Sequence, residues 1–274
     1  MAEYSPGLTG VIAGESAISR IDLENNKLIV RGYDLVDMID RISFEEVAWL
    51  LLYGDLPTQS QLDEFNATLI AEREIPAQVS SILRDAPTTA HPMALLRTAI
   101  SALGTFDPEA ADISKEASQR KAVRLLAKAP TIIAAGHRYS QGLDPLASDA
   151  SLSHAENLLY VMLGEKPTAS AAAAMNVSLI LYTEHGFNAS TFASRVVAST
   201  LADMHASITA GIGALAGPLH GGANEAAMEM FIDIGTPEKA REYVLDLLAR
   251  KQKIMGFGHR EYKTGDSRVP SMKV

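Results

Sequence analysis

The chain has 274 residues, 47% of them hydrophobic and 21% charged, an ordinary globular composition with ample material for a core. Its formal net charge of −9 argues against a chain built as a whole to bind nucleic acid. Cysteine is absent, which excludes disulfide staples, thiolate metal sites and a cysteine nucleophile, and fits a reducing, cytoplasmic setting.

The opening, MAEYSPGLTGV, has neither a basic n-region nor an apolar core, so no secretory signal is expected. Two short β-prone runs flank Glu24-Asn25-Asn26 in AISRIDLENNKLIVRGYDL and predict a small hairpin. From Ser43 the period becomes helical. SFEEVAWLLLYG opens on Ser43, carries Glu45 and Glu46 in its first turn and stops at Gly54, the start and stop signals of a helix. TQSQLDEFNATLIAERE follows Pro57 with Leu62, Phe65, Leu69 and Ile70 at helical spacing. HPMALLRTAISALG, SQRKAVRLLAKAPTIIAAGHRYSQG and SHAENLLYVMLGEKP repeat the theme. SAAAAMNVSLILY, from Ser170, is the greasiest stretch, but it is too short and too rich in Ser and Asn to span a bilayer.

Residues 190–217 read as one long helix of Ala, Ser, Thr and Gly. Side chains that small let helix backbones approach closely, either in a buried helix or against a symmetry mate in a homodimer. Arg195, Asp203 and His205 argue against a membrane span. Pro218-Leu219 suggests a boundary, giving a large helical domain over 1–217 and the first part of a smaller one over 218–274. TPEKAREYVLDLLARKQK then reads as a helix with Thr236 as cap and Pro237 at its first position. Between Arg250 and Val274 seven basic residues accompany two acids, Glu261 and Asp266. That excess is either a solvated tail or a seat for an anionic ligand.

Seven histidines are present. His137, His154 and His205 read as structural or exposed. Three others, His185, His220 and His259, sit beside glycine or small polar residues in TEHGFNAS, GPLHGGAN and GFGHRE. None shows HExxH-type spacing and no carboxylate cluster accompanies them, so no metal is expected. The other option is a site where imidazoles polarise carbonyl oxygens. At a helix N-terminus the dipole disfavours imidazolium, which would leave His220 a neutral N–H donor able to stabilise an enolate. Gly221 and Gly222 would let a ligand press against the backbone.

GPLHGGANEAAMEM and KIMGFGHREYKTGDSRVP resemble the two signature motifs of the citrate synthase family, which includes the 2-methylcitrate synthases. TEHGFNASTFASRVVAST resembles a third family segment, and GLTGVIAGESAISRID, VRGYDL, FEEVAWLLLYGDLP and HPMALLRTAISALG match its N-terminal half, so the likeness covers essentially the whole chain. It implies an all-α, two-domain fold with a small N-terminal β-hairpin. It implies condensation of an acyl-CoA, acetyl-CoA or propionyl-CoA, with oxaloacetate, without a metal or a permanently bound cofactor. His220 resembles the histidine that hydrogen-bonds the thioester carbonyl, and His259 the one that protonates the oxaloacetate carbonyl. His185 resembles an oxaloacetate ligand and Arg268 an arginine that grips a substrate carboxylate. Lys253, Ile254, Met255, Gly256 and Phe257 resemble the loop that receives CoA. Arg73, in EREIP, resembles a further substrate-binding arginine.

Family members run on beyond the point that corresponds to residue 274. The expectation is that the stretch beyond it holds the aspartate that removes the α-proton, two more substrate arginines and the rest of the small domain. Asp266 stands too close to Arg268 in sequence to be that aspartate. The rival expectation is a catalytically inactive truncated form acting as a dimerisation or assembly protein.

Overall fold

The computed structural model describes Ser5, residues 10–258, Tyr262 and residues 265–272. The hairpin is there, with one strand more than expected. β1 (Ser19–Asp22) pairs antiparallel with β2 (Lys27–Val30), Ser19 opposite Val30, and β2 pairs with the short β3 (Tyr33–Asp34). Asn26 takes φ +52 in the turn, a left-handed conformation that Asn tolerates better than most residues. Leu28 and Val30 alternate inward and are fully buried.

Everything after the sheet is helical. α1 (Leu35–Met38) is one turn capped by Asp34, whose carboxylate accepts from Val36 N–H. α2 (Phe44–Tyr53) begins at a capping box between Ser43 and Glu46 and ends at Gly54 in the left-handed region, as its sequence predicts. α3 (Gln59–Ala71) has the same box from Thr58 and Gln61. α4 (Ala77–Arg84), which the sequence reading leaves out, begins after Pro76. α5 (Pro92–Leu103) is capped by His91, α6 (Lys115–Ser140) by Ser114 and α7 (His154–Leu163) by Ser153. α8 (Ala169–Tyr182) follows Thr168. It buries Ile180 and Leu181 against α2, α3 and α6 in a core centred on Leu35, Val47, Leu50 and Leu69. A second core joins α4, α5 and α6 through Val79, Leu83, Ile100 and Ile132. Each such side chain contributes about 1.5–3 kcal/mol on burial.

The 190–217 stretch is two helices and not one. α9 (Ala189–Ala198) ends, residues 199–203 turn with Leu201 at φ +63, and α10 (Met204–Leu215) starts on the Asp203 cap. The small residues serve the contact between them. A β-carbon on Gly211 would stand 2.4 Å from Ser194 Oγ and 3.4 Å from the Ser190 carbonyl, so a larger residue there would force the Ser194 side chain or the helix pair to shift. α11 (Gly222–Ile234) and α12 (Pro237–Ala249) form a hairpin with its own core of Met230, Ile234 and Leu247. α13 (Val269–Met272) packs on α8. No described helix is long and apolar enough to cross a membrane.

Candidate active site

The residues between the end of α8 and the start of α9 gather most of the candidates. His185 lies in this turn. Its Nε2 is 3.1 Å from the Tyr262 hydroxyl, and the two rings lie 5.5 Å apart. Tyr262 is buried. Gly186 follows at φ +66, where glycine carries no steric penalty.

Asn188 caps α9 by accepting the Thr191 N–H, and the Ser190 hydroxyl lies 2.6 Å from the same oxygen. Ser190 in turn faces His220. The imidazole Nε2 lies 2.9 Å from Ser190 Oγ and 3.3 Å from its backbone nitrogen. Nδ1 of His220 has no hydrogen-bond partner among the described residues. Two proton arrangements fit: with the Ser190 hydroxyl proton on Asn188 Oδ1, Nε2 donates to Ser190 Oγ and Nδ1 is bare; with that hydroxyl turned to Nε2, the ring accepts from it and from the Ser190 N–H, and Nδ1 carries the proton. Either way Ser190 holds the ring by Nε2, and Nδ1 is the atom left for chemistry. The ring precedes α11, whose first residues press on the preceding segment. A β-carbon on Gly221 would meet the Leu215 carbonyl at 2.6 Å, and one on Gly222 the Ala216 carbonyl at 2.9 Å. The glycines after His220 are therefore demanded by the chain's own backbone, before any ligand is considered.

α11 is braced from two sides. Glu225 takes the His91 Nε2 at 2.9 Å, and Asn224 donates its amide to the Tyr182 hydroxyl at 3.2 Å. Tyr182, the last residue of α8, also lies under Arg268, whose guanidinium carbon is 5.8 Å from the ring centroid. His185, His220 and Arg268 are thus tied to one segment, 182–190.

Arg268 is already engaged. Its Nε and Nη2 donate to the two oxygens of Asp266 at 3.0 and 2.6 Å. Burial pushes the Asp266 carboxyl up, but the hydrogen bonds and charge of Arg268 outweigh it and hold the group below its ordinary value. Burial likewise disfavours the Arg268 charge, and Asp266 more than restores it. A carboxylate so held is a weak base, which separates Asp266 from the work of removing a carbon-bound proton.

The 253–257 loop lies on the same hairpin as His220. Ile254 joins the core of α11 and α12, Gly256 turns at φ +82 with Ala227 of α11 beneath it, and Phe257 is 76% exposed. Lys253 and Met255 flank Ile254. His259 lies outside the described residues. Arg73 belongs elsewhere, contrary to its short-motif resemblance. It is buried among α3, α6 and the segment before α7, and its two terminal nitrogens donate to the carbonyls of Asp149 and Leu152 at 2.9 and 2.8 Å. Its donors staple a loop, and none of these contacts is with another candidate. Among the described residues no group of histidines and carboxylates is arranged to hold a metal ion.

Sequence reasoning misses Glu184, Ser190, Asn224 and Tyr262. These are ordinary residues whose value lies in position: Ser190 touches His220 and Tyr262 touches His185, while Asn224 bonds Tyr182 and Glu184 bonds Gly186 and Ser19.

Residues 7–274 match the family described as citrate synthase, C-terminal domain. The 2-methylcitrate synthase of Mycobacterium tuberculosis is 49% identical over 271 residues, covering 99% of this chain and 68% of that protein. The citrate synthase of Mycolicibacterium smegmatis is 48% identical over 268 residues, covering 98% and 71%. The structure of Thermoplasma acidophilum citrate synthase in a ternary complex with carboxymethyl coenzyme A and oxaloacetate superposes with a TM-score of 0.92 at 34% identity, covering 99% of this chain and 71% of the other. The chain belongs to the citrate synthase family, a family of acyltransferases. It spans 68% to 71% of the length of these relatives.

Proposed function

We propose that the site around residues 182–190 takes oxaloacetate and an acyl-CoA and joins them, with His220 as the donor that stabilises the enolised thioester. The observation that carries this reading is the seat of His220, held by Ser190 through Nε2 with Nδ1 left open. If Nε2 accepts the Ser190 N–H, which can only donate, the neutral ring bears its proton on Nδ1. Such a donor strengthens as negative charge develops on the thioester oxygen and needs no reorganisation when it does. His185 and Arg268 offer oxaloacetate a hydrogen bond and a cation, His259 is the proton donor to its carbonyl, and residues 253–257 receive CoA. Oxaloacetate and CoA are both polyanions, which gives the basic C-terminal segment a use. Acetyl-CoA and propionyl-CoA differ by one methylene, a discrimination of about 1–3 kcal/mol set by pocket shape.

The α11–α12 hairpin, with its separate core, supports a domain boundary near residue 217. The exposed side of α9 and α10 supports a homodimer. The test of the whole reading is thiol release from acetyl-CoA and from propionyl-CoA by the purified chain in the presence of oxaloacetate, with product identified by mass. Tight binding of oxaloacetate without turnover would favour the second reading, a chain without its general base. That reading rests on Asp266 being held by Arg268. Failure to bind oxaloacetate at millimolar concentration would overturn both.

A further inference from the structure

Glu184 is a carboxylate in the site turn to which the proposed chemistry assigns no role. Its Oε1 accepts two hydrogen bonds, one from Gly186 N–H at 2.6 Å and one from the Ser19 hydroxyl at 2.9 Å. The first closes the backbone around His185, from the residue before it to the residue after it. The second reaches 165 residues away, to the first residue of β1. A neighbouring contact braces the same turn from the other side. The Phe187 ring lies under the Arg195 guanidinium at 4.2 Å, and Gly14 passes so close that a β-carbon there would stand 3.2 Å from Arg195 Nη2 and 3.4 Å from Phe187. The N-terminal segment and sheet, far from the motifs in sequence, therefore lie against the 184–187 turn.

We infer that Glu184, anchored by Ser19, is a positioning residue that fixes the His185 imidazole for its substrate, so that the N-terminal sheet sets the affinity of the site for the dicarboxylate. The inference rests on the proposed role of His185 in oxaloacetate binding. The physical argument is local. Gly186 carries φ +66, and a glycine turn without its carboxylate bridge has many more conformations open to it. The imidazole direction follows that backbone, and a displacement of about an ångström is enough to cost a site a large factor. What matters is an acceptor oxygen at Oε1, and negative charge is not required.

The test pairs two measurements on the full chain. The first is the ligand-free nitrogen and proton NMR signature of the His185 ring, assigned through His185→Ala. The second is oxaloacetate binding by calorimetry. Glu184→Ala is expected to move the His185 ring signals and weaken oxaloacetate binding by about tenfold, the loss of hydrogen bonds to a charged acceptor. Glu184→Gln keeps an oxygen in place and is expected to restore both to within about twofold. Ser19→Ala, which leaves the Gly186 bond, is expected to give a smaller loss of about threefold. His185 signals or an affinity unchanged in Glu184→Ala would overturn the inference, as would a Gln variant no better than Ala. Should the unaltered chain bind no oxaloacetate, the proposed function fails. The ligand-free ring signals would still decide whether Glu184 positions His185.

Discussion

At the scale of single residues, the site turns on where protons and charges are already committed. For His220 the two arrangements at Ser190 differ in which nitrogen carries the proton. The proposed chemistry requires Nδ1, and two-bond nitrogen–proton NMR at neutral pH is expected to show Nδ1 protonated and Nε2 bare. A ring protonated at Nε2 would remove the neutral donor and with it the central step. Arg268 offers a second test. Its guanidinium is held by Asp266 at 3.0 and 2.6 Å, so a substrate carboxylate must share or displace that partner. Asp266→Asn removes the competing charge while keeping an acceptor, and is expected to tighten oxaloacetate binding by roughly threefold to tenfold at low salt, less at high salt. Weaker binding in calorimetry would mean that Asp266 orients Arg268 more than it competes for it. His185, His220 and Arg268 stand out in the sequence because they lie inside long family segments, and all three are tied to residues 182–190. Arg73 shows the opposite: a four- or five-residue likeness carries no environment, and its buried place is set by contacts with Asp149 and Leu152 that no local pattern announces.

Helices are the level at which the sequence speaks most directly. Ser43 with Glu46, and Ser153 with Glu156, each close a capping box, because both partners lie within one turn and need nothing from the rest of the chain. The break between α9 and α10 escapes a reading by composition. Ser, Thr and Ala continue through it, and the one local sign is Asp203, whose carboxylate accepts Ala206 N–H. α7 carries a testable tertiary consequence. His154, its first residue, is buried against the Phe44 ring at 5.0 Å, and its backbone N–H donates to the buried Glu45. Burial, and then the charge of Arg73, push its imidazole down to about 4 from an unfolded value of 6.5. The unfolded chain therefore takes up the proton first. This contribution is complete above pH 6.5, falls as the pH drops towards 4, and is lost below it. By pH 5 the loss amounts to about 2 kcal/mol. Urea unfolding at pH 7 and pH 5 is expected to show that loss in the unaltered chain and a smaller one in His154→Leu. Equal losses would assign the acid sensitivity to other groups.

At the scale of the molecule, the all-helical body and its small sheet follow from the periodicity and turn residues, while the way the parts meet does not. The tie between β1 and the His185 turn joins residues 165 apart, and no pattern of period two or three-and-a-half encodes such a pairing. The same holds for the outer side of α9 and α10. Val196, Leu201, Ile208 and Leu215 are exposed there beside a groove of about 600 Å³. α10 carries no Asp, Glu, Lys or Arg, and the only such residue in α9, Arg195, lies over Phe187. A face this apolar and this poor in charge suits a second copy of the same chain, which would meet it across a two-fold axis and present the same patch in return. A stable dimer needs about 800 Å² from each partner, within the reach of two helices of ten and twelve residues. Light scattering at micromolar concentration is expected to give twice the chain mass. Ile208, in the middle third of α10, is the position to disturb, because symmetry places its substitution in the interface twice. Ile208→Glu buries two unpaired carboxylates, at a few kcal/mol each or more, and is expected to weaken the dimer by at least about a hundredfold while leaving the helical circular dichroism unchanged. A monomer in the unaltered chain, or a dimer indifferent to Ile208→Glu, would remove α9 and α10 as the dimer face and leave that exposed surface without a partner.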